Sequence, residues 1–241
     1  MRVNKGTQRD MPAHAPRPLY ELMHLADSAL PSGGYAFSYG LEGAYHLGML
    51  HDEQILVAYL QSVLWNSAYG ELPFIHSCYD LADPLDLVAL DPILEFYEAT
   101  LTAPSIRQGS LVQGKNWLRL MGDLYPNSGI VSWKMALAKR QGLAHHTLVF
   151  GISLRLANFC QKDAKLLFIF QLLRDQISAA VRLGLIGPLA ATVLQKNLYG
   201  YCNDLVSATA ELVYQQASRS SPQVDLAQSI QPHLYTRLFQ S

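Results

Sequence analysis

Apolar positions recur along most of this chain at intervals of three and four residues, the period of a helix with one face turned inward. Leu19, Leu22, Met23 and Ala26 predict a short first helix ending near Ser28. Ile55, Leu56, Tyr59, Leu60, Val63 and Leu64 share the face of a second, with Asp52 placed to cap it. Pro73 predicts the start of a further helix carrying Phe74, Cys78 and Leu81, because a missing N–H does no harm in a first turn. Pro84 and Pro92 punctuate the next stretch, and Ile93, Phe96, Tyr97 and Leu101 follow at helical spacing. Residues 105–120 predict another helix, and Pro126, Asn127 and Gly129 a turn over 125–129.

The C-terminal half repeats the pattern. Leu148, Ile152 and Phe159 are followed by Leu166, Phe170, Leu173, Ile177 and Ala180. The run 166–173 alone also fits a buried strand, but its stripe continues to Val181, which is helix length. Gly187 and Pro188 make a stop followed by a start, and Leu198, Cys202, Leu205 and Leu212 extend the last long helix. No strict alternation bounded by hairpin signals appears. The expected fold is therefore all-α, a single-domain helical bundle of roughly eight to ten helices. Residues 1–17 carry prolines and scattered charges without an apolar core, and predict a disordered N-terminal segment. Residues 18–217 form the helical domain. The polar run 218–223 (Ser-Arg-Ser-Ser-Pro-Gln) is a linker to a mobile C-terminal tail within 218–241.

Composition narrows the functional classes. Half of the 241 residues are hydrophobic and 15% are charged, enough for a sizeable core. The net charge of −1 gives no basic excess to attract nucleic acid or an anionic membrane. Low charge with high apolar content points to a partner-covered surface. Three widely spaced cysteines, Cys78, Cys160 and Cys202, do not make a disulfide framework and fit a reducing, cytoplasmic setting. The longest apolar run, 166–170, is too short to cross a bilayer.

Candidate chemistry is sparse. Residues 109–116 (Gly-Ser-Leu-Val-Gln-Gly-Lys-Asn) nearly spell a phosphate-binding loop, but Asn116 stands where Ser or Thr should ligate magnesium, and no strand pattern precedes it. His76 and Cys78, and the adjacent pair His145 and His146, diverge on a helix, so no local metal pair forms. Asp80, Asp83, Asp86, Asp91, Glu95 and Glu98 cluster in sequence, and read as a solvated helical face with N-cap aspartates. No catalytic, cofactor-binding or metal-ligating residue is assigned. Three other places stand out. Residues 30–42 (Leu-Pro-Ser-Gly-Gly-Tyr-Ala-Phe-Ser-Tyr-Gly-Leu-Glu) set three glycines, a proline and three aromatics between two helical patterns, a corner that must pack. Arg182 follows an apolar seam and must reach water, a carboxylate or a carbonyl. The terminus 235–241 (Tyr-Thr-Arg-Leu-Phe-Gln-Ser) puts two aromatics and an arginine at a polar end and must dock on the body or on a partner.

These places resemble the UreF family of urease accessory proteins. Leu30, Pro31, Gly33, Gly34, Tyr35, Ser38, Gly40, Leu41 and Glu42 match its N-terminal signature in order and spacing. Arg107, Ser110, Gly114 and Lys115 match its central pattern, which makes residues 109–116 helix. Gly187 fits the glycine after Arg182, and Tyr235, Arg237, Leu238, Phe239 and Ser241 match the terminus. The sequence departs from the family at Ser105, Pro188, Gln231 and Pro232, the last two standing where a histidine–glutamate pair is usual. The resemblance implies an all-helical, homodimeric, non-enzymatic maturation factor that needs no cofactor. It would join UreD (UreH in some organisms) and recruit the GTPase UreG for GTP-dependent insertion of nickel into apo-urease. Pro31, Gly33, Gly34, Tyr35, Ser38, Gly40, Glu42, Arg182, Gly187, Tyr235, Arg237, Leu238 and Phe239 would then face partners or support the surfaces that do. Two other readings stay open on the residues: a metallochaperone holding nickel through Cys78 or His145 and His146, and an all-α enzyme using the acidic cluster at 80–98.

Overall fold

The computed structural model of the chain describes residues 19–32, 34, 37–84, 86–101, 103–139, 143–235 and 238–239. The expected N-terminal segment 1–17 and the sites Gly33, Tyr35 and Arg237 lie outside the described residues. Ten α-helices occur among the described residues: α1 (Leu19–Leu25), α2 (Leu41–His46), α3 (Glu53–Asp80), α4 (Leu87–Thr100), α5 (Pro104–Leu124), α6 (Ile130–Lys139), α7 (His146–Leu156), α8 (Gln161–Arg182), α9 (Pro188–Ala208) and α10 (Pro222–Ser229). No strand is present among them, and none of their helices is long and apolar enough to cross a membrane.

The axis of the bundle is α3. Its first half buries Leu56, Tyr59, Leu60, Val63 and Leu64 on one face, as the spacing predicts, and Asp52 caps it by accepting from the Ile55 N–H at 2.8 Å. Its second half is buried on every side, from Gly70 through Cys78, because α7, α8 and α9 surround it. Pro73 does not start a helix. It sits well inside α3, which runs unbroken for 28 residues. Proline leaves the carbonyl four residues earlier without its helical partner. That carbonyl belongs to Tyr69, and the Ser218 N–H donates to it at 3.0 Å. A residue far along the chain thus fills the gap, and the helix continues.

Other boundaries differ for equally local reasons. The acidic cluster supplies one N-cap, Asp86, which accepts from Val88 and Ala89, whereas Asp91 and Pro92 lie within α4. The last long helix stops at Ala208 and does not reach Leu212, because the carbonyls of Thr209 and Ala210 are taken by Lys165 of α8. The phosphate-loop look-alike is helix within α5. Gly114 lies there against residues 144–146, where a β-carbon would overlap the Ala144 carbonyl oxygen. Beside it the Ser110 hydroxyl meets His145 Nδ1 and accepts from the His146 N–H.

Two glycine substitutions therefore have opposite outcomes. Gly114→Ala forces a backbone shift and should lower unfolding free energy by about 2 kcal/mol or more. At Gly187 a β-carbon meets nothing within 4 Å and φ is −74°. Gly187→Ala should stay within about 1 kcal/mol of wild type. Urea denaturation of both variants checks this pair.

Candidate partner-docking site

The corner before α2 turns through two residues with positive φ, Tyr39 at 48° and Gly40 at 88°. Gly40 is also packed tightly, since a β-carbon there would press on Tyr59 and Gln228. Gly34 leaves room for the Asp175 carboxylate of α8 in the same way. Ser38 is fully buried, and its carbonyl accepts from Gln176 Nε2 at 2.7 Å and from the Leu41 N–H at 3.0 Å. Tyr39 donates its hydroxyl to Gln113 Oε1 at 2.7 Å, and burial holds that phenol above its ordinary pKa. Polar side chains of α5 and α8 thus set the path of the corner.

Glu42, in the first turn of α2, is 1% exposed. Its carboxylate is matched by donors from the C-terminal tail. Gln231 Nε2 donates to Oε2 at 2.5 Å, and the Leu238 N–H donates to Oε1 at 2.6 Å. Gln231 Nε2 also reaches the Phe239 carbonyl at 3.2 Å. The Phe239 ring is buried under Arg182, whose guanidinium carbon lies 3.9 Å from the ring centroid. A cation over an aromatic face is attracted by the ring's quadrupole, more strongly where water is excluded. The end of α8, the start of α2 and the tail meet at this point. Beside them α10 packs closely on α2, and a β-carbon on Gly43 would overlap the Ala227 carbonyl oxygen.

Of the expected site residues, Ser38, Gly40, Glu42, Arg182, Leu238 and Phe239 fall in this assembly, with Gly34 alongside on Asp175. Pro31 is exposed at the rim. Tyr235 is fully exposed, and Leu238 is 66% exposed although its N–H is bound. Gly187, exposed at the cap of α9, makes no close approach to the corner. Gln231 was not among the expected residues; it is the link between tail and corner. The signal was Glu42 itself, an acid in a glycine-aromatic run that predicts burial and so needs a distant donor.

Beneath the corner lies a cavity of about 90 Å³, whose lining includes Tyr39, Gln113, Glu71, Arg219, Asp175 and His146. A space of this size with polar walls suits several waters. Glu71 accepts from Tyr97 at 2.8 Å and Thr147 at 2.6 Å, and pairs with Arg219. Asp175 pairs with Arg174 at 2.7 Å; burial holds its carboxyl above the usual range even though that guanidinium pulls it down.

The candidate metal and acid–base residues are engaged elsewhere. Cys78 is buried against Gly151, and burial pushes its thiol up to about 12. His145 binds Glu98 and Ser110, while His146 lies among Trp117, Phe150 and Phe168. No group of three or more His, Cys, Asp or Glu placed to hold a metal occurs among the described residues. Burial disfavours the charge on Glu98, but hydrogen bonds from Arg107 and His145 outweigh it and hold the carboxyl below the usual range. That is the reverse of an acid poised to donate a proton.

The class this architecture defines is an all-helical protein whose corner and terminus are tied together around a buried carboxylate. Comparison with known proteins takes the identification further. The family model described as UreF matches residues 50–199. The chain is 33% identical to urease accessory protein F of Oryza sativa subsp. indica over 223 residues, covering 92% of this chain and 84% of that protein. It is 30% identical to urease accessory protein F of Arabidopsis thaliana, covering 89% of each. It is 24% identical to urease accessory protein UreF of Paenarthrobacter aurescens, covering 91% of this chain and 96% of that one. The chain belongs to the UreF family of urease accessory proteins, and its role lies in urease maturation.

Acid should weaken the cavity wall. Burial lowers the His146 pKa from 6.5 to about 4. The unfolded chain takes up this proton first, so the stabilisation is complete above about pH 6.5 and is lost as pH falls toward 4. The loss is on the order of 2 to 3 kcal/mol. His146→Phe should flatten the profile by that amount in urea titrations at pH 7 and 4.5. Parallel profiles for the two proteins would contradict the assignment.

Proposed function

We propose that this chain is a non-enzymatic scaffold of urease maturation. In this reading it joins UreD/UreH, recruits the GTPase UreG, and supports GTP-dependent insertion of nickel into apo-urease in the cytoplasm. GTP chemistry belongs to the partner, and this chain supplies shape. The observation that carries the reading is the tail: one face of it is buried on Glu42 and Arg182, while Tyr235 and Leu238 point outward. Ordering a chain end costs conformational entropy, and Phe239 burial with the Glu42 bonds offsets it. Leu238 is then held ready by its own N–H bond to Glu42, which lowers the ordering cost of a later association. A homodimer is part of the same reading. The apolar groove between α8 and α9, lined by Leu166, Phe170, Tyr199 and Cys202, offers it surface.

The exposed pair provides the test, because neither side chain supports the fold. The double variant Tyr235→Ala/Leu238→Ala should keep the wild-type circular dichroism spectrum and thermal midpoint. Its affinity for UreD and UreG together should fall at least about ten-fold, the loss typical of truncating central contact residues. Full capture of both partners by the double variant would remove the tail from the docking surface.

A further inference from the structure

Away from the corner, Lys165 of α8 is 2% exposed. A buried ammonium group is tolerated only when its donors are used. Here Nζ donates to the Thr209 carbonyl at 3.2 Å and the Ala210 carbonyl at 2.5 Å, and meets His76 Nδ1 at 3.1 Å. The opposite ring nitrogen, His76 Nε2, lies 3.0 Å from the Asp80 carboxylate. The carboxylate accepts only, so Nε2 carries the proton and Nδ1 is left as an acceptor for the lysine. A charged lysine and a neutral imidazole satisfy every group in this row.

The row stands where α9 ends and residues 209–221 cross back along α3. That segment is then fixed by Tyr214 N–H to Ser77 Oγ at 3.0 Å, Ser218 N–H to the Tyr69 carbonyl, Ser220 N–H to Asn66 Oδ1 at 3.1 Å, and the Arg219 pair with Glu71. It leads into α10 and the tail. We propose that Asp80, His76 and Lys165 form an acid-released latch that fixes the start of this segment to α3. A proton taken up at Nδ1 turns the acceptor into a donor and sets two cations side by side. The lysine then loses one partner, and its hold on the two carbonyls at the end of α9 weakens. The charged groups facing the imidazole are Asp80 from its own helix and Lys165 from α8, with Glu211 from the segment itself acting on Lys165. Burial already draws the lysine down to about 8, so it has little tolerance for a second positive charge. The latch is independent of the choice of urease partners.

Hydrogen exchange of the full chain tests it. Peptides spanning 205–217 in the wild type should lose at least ten-fold in protection between pH 7.5 and pH 5.0, after correction for intrinsic exchange rates. His76→Asn keeps an acceptor near the Nδ1 position and cannot gain a charge, so its protection should be the same at both values. Equal wild-type protection at both values overturns the latch, as does a loss of the same size in His76→Asn.

Discussion

The buried Glu42 carboxylate is the constraint on which the path of the C-terminal tail depends. Taking a carboxylate out of water costs several kcal/mol unless donors replace the lost hydration. The chain places that carboxylate in the first turn of α2, and the tail brings the replacements, the Gln231 amide and the Leu238 N–H. The start of α2 and the tail are therefore bound to each other by a need neither can meet alone. Arg182 adds a cation over Phe239, and Gly43 lets α10 come close enough to deliver the tail.

The route of the chain to that point has the same character. Pro73 withholds one N–H from the most buried helix, and Ser218 supplies the substitute. Glu71, buried in the same helix, is matched by Arg219 from the following stretch. Lys165 takes the carbonyls of Thr209 and Ala210, just past the end of α9. Each of these is an unmet polar group in α3 or α8 matched by residues 209–221, so the segment between α9 and α10 is fixed by hydrogen bonds as well as by the packing of Tyr214 on Phe74 and Phe96. Such a segment is specific in register and sensitive to charge, because an unmatched buried group costs more than a matched one gains.

How much of this could be read in advance follows from distance along the chain. The stripe of α3, the Asp52 cap and the turn at 125–129 are local, and they stand as the spacing predicts, whereas in α1 Leu19 and Met23 are exposed and Leu25 is the buried residue. The corner at 31–42 and the terminus at 235–241 were visible as unusual residue runs, and their likeness to the UreF signature gave the family. Pro73 was misread because its compensation lies 145 residues away at Ser218. Gln231 was passed over because an amide replaces the family's histidine, and its partner Glu42 is 189 residues distant. Lys165 gave no signal at all, since a lysine on a helical stripe ordinarily faces water. Periodicity reports which face is buried; it does not report which polar group on that face has a partner.

The claim that Glu42 holds the tail is tested most directly at the Leu238 amide. In the wild type its hydrogen exchange should be slowed well below that of a free peptide. In Glu42→Ala it should exchange at the free-peptide rate, while the amides of α3, α7 and α8 keep their protection. A Leu238 amide that is unprotected in the wild type, or equally protected in Glu42→Ala, would contradict the account.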